Sequence, residues 1–201
     1  MAVNNPVAAA PPAPASSIAD PAPLGLVAFG MTTMLLSFIN AGIIAAGATM
    51  AVLPMAAAFG GTCQLLAGMW EFKRGNTFGA TAFTSYGAFW LSYYLLVDVF
   101  LAKTVPSTVG PIVGLYLFLW GLFTLYMFVA SLGGVRALQV VFALLALTFF
   151  LLAIGVWAGA GGATWSHLGG YARILTALAA MYTSFALVTN ANFTRTVLPI
   201  N

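Results

Sequence analysis

Charge is what this chain has least of. Six Lys or Arg and three Asp or Glu stand among 201 residues, 4% of the total, against 62% hydrophobic residues. A soluble domain carries about 25% charged residues because its surface must face water. That surface cannot be built here, so a soluble globular protein is excluded and most of the exterior has to face lipid. The basic residues are too few and too scattered to make the clustered positive face of a nucleic-acid binder, despite a net charge of +3. Cysteine and histidine are scarcer still, with one of each. Cys63 has no partner for an internal disulfide and lies in an apolar run, where it serves as a small buried hydrophobe. No phosphate-binding loop, metal-ligand cluster or mid-helix Lys is visible, so no cofactor and no metal are expected.

What the chain does have is long apolar runs. Residues 1–19, rich in Ala and Pro, lack periodicity and predict a disordered tail. The tail has neither the basic start nor the unbroken apolar stretch of a signal peptide. Residues 20–201 form the transmembrane domain, with six stretches long enough to cross about 30 Å of hydrocarbon. They run roughly from Leu24 to Ala46, Ala51 to Trp70, Ala80 to Leu101, Gly110 to Ser131, Val135 to Trp157 and Leu168 to Thr189. Backbone groups in lipid must pair within their own segment, so these are helices and the fold class is all-α. No alternation of the kind that marks a membrane barrel appears.

The breaks carry the polar residues: Glu71 to Asn76, Lys103 to Pro111, Gly133-Gly134 and Gly159 to Gly162. The first link is expected near Gly47 to Thr49, with Pro54 kinking the second helix or marking its first turn. Lys73, Arg74, Arg136 and Arg195 all fall on one side of a six-helix arrangement, which predicts both termini in the cytoplasm. Small residues at helical spacing, such as Gly110 with Gly114 and Gly155 with Gly159, are expected to be packing faces.

Polar groups at membrane depth need partners and so draw attention. The third stretch opens with GNTFGATAFTSYGAFW, from Gly75 to Trp90. Its Thr77, Thr81, Thr84 and Ser85 recur at three- and four-residue spacings and predict one polar face, with Tyr86 beside it, lining a wet cavity in preference to the alternative of a polar helix interface. Asn40 and Gln64 are further candidates for that lining. Glu71 and Asp98 are candidate proton or charge sites, although each is better explained as an interfacial charge. Asp20 before Pro21 is a strong helix start. Gly60 and Gly61, mid-helix, each cost about 1 kcal/mol relative to Ala and need close packing or an opened carbonyl to justify them.

DPAPLGLVAFGMTTMLL (Asp20, Pro21, Pro23 and Gly25 among its residues), FGG at Gly60-Gly61, GNTFGATAFTSYGAFW, LWGLFTLYMF, ALQVVFALLAL and the closing RTVLPI together resemble the acetate uptake transporter family, also called GPR1/FUN34/YaaH. The resemblance runs from Asp20 to the C-terminus. It implies a six-helix protomer in a homo-hexamer within the cell membrane, with a pore through each protomer for acetate and other small carboxylates, succinate among them. It also implies a constriction lined by Phe29, Tyr86 and Leu145. Two apolar groups there exclude water while one hydroxyl meets the carboxylate. The family's signature begins with Asn where this chain has Asp20, a better partner for a helix N-terminus and a negative charge at the expected cytoplasmic mouth.

Transport as an anion channel or as a proton-linked symporter both fit, and no enzyme is expected. Ser166-His167 faintly resembles a rhomboid protease, but the best candidate nucleophile, Ser131, lacks the Gly residues of the Gly-x-Ser-Gly motif. A channel for a small neutral solute such as water, ammonia or urea is the nearer alternative.

Overall fold

Residues 18–201 are described by a computed structural model; the expected tail falls almost wholly outside them. Six helices cross in turn, and no strand occurs among the described residues. Helix α1 is Ala22–Asn40. Its first amide, on Ala22, donates to Asp20 Oδ1 at 3.0 Å, so Asp20 caps the helix as its chemistry predicts. The helix ends sooner than the apolar run does. Gly42 takes φ +75°, and a Cβ on Gly170 would sit 2.2 Å from the Ala41 nitrogen. The chain turns where two backbones touch, which hydropathy cannot register.

Helix α2, Ala46–Arg74, is the irregular one. It starts as a tight 3₁₀ stretch, Ala46–Val52, and Pro54 then occupies the first α turn. From Ala56 to Cys63 it widens to i→i+5 bonding. Gly60 and Gly61 lie in this wide stretch because neighbours crowd it. A Cβ on Gly60 would meet Thr32 of α1 at 2.8 Å, and one on Gly61 would meet Leu91 at 2.7 Å. The end of α2 is a Schellman motif. Gly75 sits at φ +76°, its amide donates to Phe72 O, and the Asn76 amide donates to Glu71 O at 3.1 Å.

Asn76 then opens α3, Thr77–Leu95, by accepting the Gly79 amide at 3.1 Å. Helix α4 is Pro106–Ser131 and α5 is Arg136–Trp157. Helix α6, Ala163–Phe193, follows a short 3₁₀ turn at Gly159–Gly162. Five of the six are long and apolar enough to cross a membrane on their own; α3 is not among them. Its hydroxyls and glycines dilute it, and its neighbours shield it instead.

Helices α1, α6, α5 and α4 pack in sequence, α2 bridges α1 and α3, and α3 meets α4 mainly through aromatic side chains. Leu119, Leu122, Leu125 and Val129 of α4 are exposed, as lipid contact requires. Of the expected packing pairs, Gly114 lies under Trp157 and Gly155 against Ser166 and Gly162, whereas a Cβ on Gly110 would meet only Val156 O, at 3.9 Å, and one on Gly159 would meet nothing within 4 Å. The closing segment folds back, with Asn190 Oδ1 accepting the amides of Val197 and Leu198 and Tyr182 donating to Pro199 O at 2.7 Å.

The α2–α3 approach is closest at Gly68, where a Cβ would lie 2.3 Å from Thr84 Oγ1 and 2.5 Å from the Thr84 backbone nitrogen. Backbone cannot yield as a flexible side chain does, so Gly68→Ala is expected to cost at least the 1–3 kcal/mol typical of overpacking. A thermal-stability scan in detergent should show a clearly lowered midpoint. Gly47→Ala, with nothing within 4 Å, should leave it unchanged.

Candidate functional site

Between α1, α2, α3 and α5 lies a cavity of about 80 Å³; a single water needs roughly 10–15 Å³ on the same measure. It therefore has room for several waters or one small solute. Helix α1 contributes Leu26 and Phe29, α5 contributes Leu138, Val141, Phe142 and Leu145, and Leu187 of α6 closes one side. Helix α3 contributes Phe78, Gly79, Ala82, Phe83 and Tyr86. Polar groups are few: Gln64, Glu71, Asn76 and the one hydroxyl, on Tyr86.

Phe29, Tyr86 and Leu145, brought from three helices, meet at the inner limit of this space, each buried to within 5% of full occlusion. The Phe29 and Tyr86 rings lie 5.8 Å apart, and Phe123, Trp120 and Phe142 surround Tyr86 at 5.3–6.2 Å. The Tyr86 hydroxyl pairs with Thr124 Oγ1 at 2.9 Å, and Thr124 donates its own hydrogen to Trp120 O at 2.7 Å. The shared hydrogen is therefore the tyrosine's. Beyond the trio the space is closed by Phe89 against Trp90, Trp120 and Phe149.

At the outer limit sits Glu71, fully buried. Its Oε2 accepts from Asn76 Nδ2 at 2.9 Å and lies 3.8 Å from Arg74 Nη1. Arg74 also holds Asp20 in an ion pair at the surface. Asn76 thus caps α3 and grips Glu71 at once, and Gly79 leaves the room: a Cβ there would lie 2.6 Å from Asn76 Nδ2. Glu71 Oε1 and Gln64 Oε1 have no hydrogen-bond partner among the described residues. Both line the cavity, so a water or an undissociated acid would find acceptors waiting, and a flipped Gln64 amide would offer donors instead.

The remaining candidates lie elsewhere. Thr77 is exposed, and Thr84 Oγ1 is buried against Gly68 of α2. Thr81 does not line the cavity, while Ser85 lines a shallow outer groove with Leu119, Trp120 and Phe123. The expected hydroxyl face is therefore not the cavity face. Close glycine packing of α2 on α3 takes Thr84 out of reach, and the adjacent, mostly apolar face turns inward. Asn40 accepts from Arg173 Nη1 at 3.1 Å, away from the cavity. Asp98 is exposed beyond the end of α3. Ser131 ends α4 and His167 begins α6, so the whole of α5 separates them and no serine–histidine pair forms. Sequence reasoning missed Thr124 and Phe142; a lone hydroxyl in the apolar LWGLFTLYMF run was the available signal for the first.

These features define a multi-pass helical membrane protein with a mostly apolar cavity inside a single chain. The chain belongs to the GPR1/FUN34/yaaH family, whose profile matches residues 3–200. It is 46% identical over 188 residues to the succinate-acetate/proton symporter SatP of Escherichia coli (strain K12), covering 92% of this chain and 96% of that one. The structure of the bacterial acetate channel SatP superposes with a TM-score of 0.85 at 44% identity, covering 92% of this chain and all of that one. Ammonia transport outward protein 2 of Saccharomyces cerevisiae is 38% identical over 182 residues, covering 87% of this chain and 63% of that one.

Proposed function

We propose that the protein carries acetate and other small carboxylates, succinate included, across the cell membrane through the cavity of each protomer. The observation that carries this reading is the cavity itself. It has room for one small solute, an apolar throat of Phe29 and Leu145 with one hydroxyl from Tyr86, and unmet polar groups at its mouth. Kinship to a succinate-acetate/proton symporter along nearly the whole chain supports the substrate class. A carboxylic acid with a pKa near that of Asp or Glu is almost wholly ionised at neutral pH. Moving it through an apolar ring as a bare anion costs several kcal/mol unless donors or a proton are supplied. Tyr86 is placed to be the donor and Glu71 to hold the proton.

The four basic residues Lys73, Arg74, Arg136 and Arg195 mark the Glu71 end as cytoplasmic, together with both termini. The exposed apolar faces of α4 and α6 suit lipid and neighbouring protomers of a homo-hexamer.

Radiolabelled acetate uptake into liposomes, with and without an inward proton gradient, tests the proposal. Saturable uptake driven by the gradient and competed by other short carboxylates is expected of a proton-linked carrier. Uptake that follows voltage alone would mean an anion channel. The relative that transports ammonia favours one second reading, a neutral-solute path, and flux of methylammonium with none of acetate would establish it.

A further inference from the structure

On the far side of the constriction the protein buries a cation with no anion to match it. Arg173 lies within α6 at 4% exposure. Its Nη1 donates to Asn40 Oδ1, its Cζ stands 5.3 Å over the Trp90 ring, and its Nε has no partner among the described residues. Trp90 is fully buried and its indole Nε1 is likewise without an acceptor. The phenols of Tyr93 and Tyr116 lie within electrostatic reach. The chain has three acidic residues in all. Asp20 and Glu71 are engaged with Arg74 at the opposite end, and Asp98 is exposed and forms no ion pair among the described residues.

An unpaired buried cation and an unmet buried N–H are each costly. Both deficits here are of one kind: donors and positive charge waiting for acceptors. Their depth is informative as well. At 1.5 Å per residue, Trp90 lies about 6 Å beyond Tyr86 along α3, and Asn40 about 16 Å beyond Phe29 along α1. The pair therefore sits past the throat, on the side away from Glu71.

We infer that Arg173 and the indole N–H of Trp90 form a second carboxylate-binding site, which receives the anion on the side of the constriction opposite Glu71. A carboxylate brings the two oxygens and the negative charge that this place lacks, and guanidinium–carboxylate bonds are among the stronger hydrogen bonds available. The cation–π stack on Trp90 and the bond to Asn40 hold the empty guanidinium in place. The identity of the anion rests on the transport reading above; the site itself does not.

Equilibrium dialysis of labelled acetate against the solubilised full-length protein tests it. Arg173→Gln should weaken saturable binding roughly 10-fold or more, the usual worth of a charged hydrogen bond. Asn40→Ala, which removes the guanidinium's other partner but leaves its charge, should lose several-fold less binding than Arg173→Gln. If Arg173 merely ties α6 to α1, the two variants would fall together, and that result would overturn the site. Unchanged binding in Arg173→Gln would do the same. Should that variant not fold, Arg173→Lys and Trp90→Phe decide, each expected to lose several-fold, with wild-type binding in both as the contrary result. A wild type that binds acetate but carries none into liposomes overturns the transport reading and leaves the site standing.

Discussion

Tyr86→Phe is expected to lower acetate uptake roughly 10- to 100-fold while the protein stays folded. The ring is what packs: it touches Phe29, Trp120, Phe123 and Phe142, and none of these contacts needs the hydroxyl. The hydroxyl's one partner is Thr124 Oγ1, and losing a single neutral bond costs about 1 kcal/mol of stability. For a carboxylate in the cavity the same hydroxyl is the only one lining it among the described residues. A hydrogen bond to a charged group is worth about 1.5–3 kcal/mol, which sets the size of the expected loss. The structure adds a competitor that the motif alone did not reveal. Because Thr124 spends its own hydrogen on Trp120 O, Tyr86 must let go of Thr124 before it can donate to a substrate. Thr124→Val removes that competition and should leave uptake unchanged or raise it. Initial rates in proteoliposomes, normalised to protein in the membrane, separate the outcomes. Wild-type rates in Tyr86→Phe with a fall in Thr124→Val would remove Tyr86 as the donor.

Glu71→Gln is expected to abolish the dependence of uptake on a proton gradient, and Asp98→Asn to leave it intact. On composition alone the two acids were equivalent. The fold separates them completely: Glu71 is fully buried at the cavity with Oε1 unmet, and Asp98 is exposed outside it. Gln keeps the shape of Glu and can still meet Asn76, but it cannot take up and release a proton. Uptake by the variant should therefore stop rising as external pH is lowered, once the background of undissociated acid crossing empty liposomes is subtracted. Above the acid's pKa that background grows about tenfold for each unit by which the pH is lowered, so the comparison is meaningful only after subtraction. Gradient-driven accumulation in Glu71→Gln equal to wild type would withdraw Glu71 from proton coupling.

Much of the fold was legible because lipid imposes few choices. A chain with 4% charge and repeated apolar runs of spanning length has to be a helical membrane protein, and Asp20-Pro21 and Gly75-Asn76 carry their capping chemistry locally. The family motifs pointed to Phe29, Tyr86 and Leu145, which three helices do bring to one place. Less was legible wherever rotation or contact mattered. Spacing grouped Thr77, Thr81, Thr84 and Ser85 on a single face, and the structure gives them separate surroundings, one of them against Gly68. The early end of α1 depends on Gly170 meeting Ala41, residues far apart in the chain. Nothing in the sequence around Arg173 says that it lies buried over Trp90.

The sequence by itself determined the solvent, the helix class and the local caps, since these follow from composition and from neighbours a few residues apart. Tertiary structure alone decided which face of α3 turns inward, which acid meets the cavity and which cation is left without a partner. In water, apolar periodicity separates inside from outside. In lipid both sides of a helix are apolar, so that contrast is lost and close contact between small residues sets the rotation.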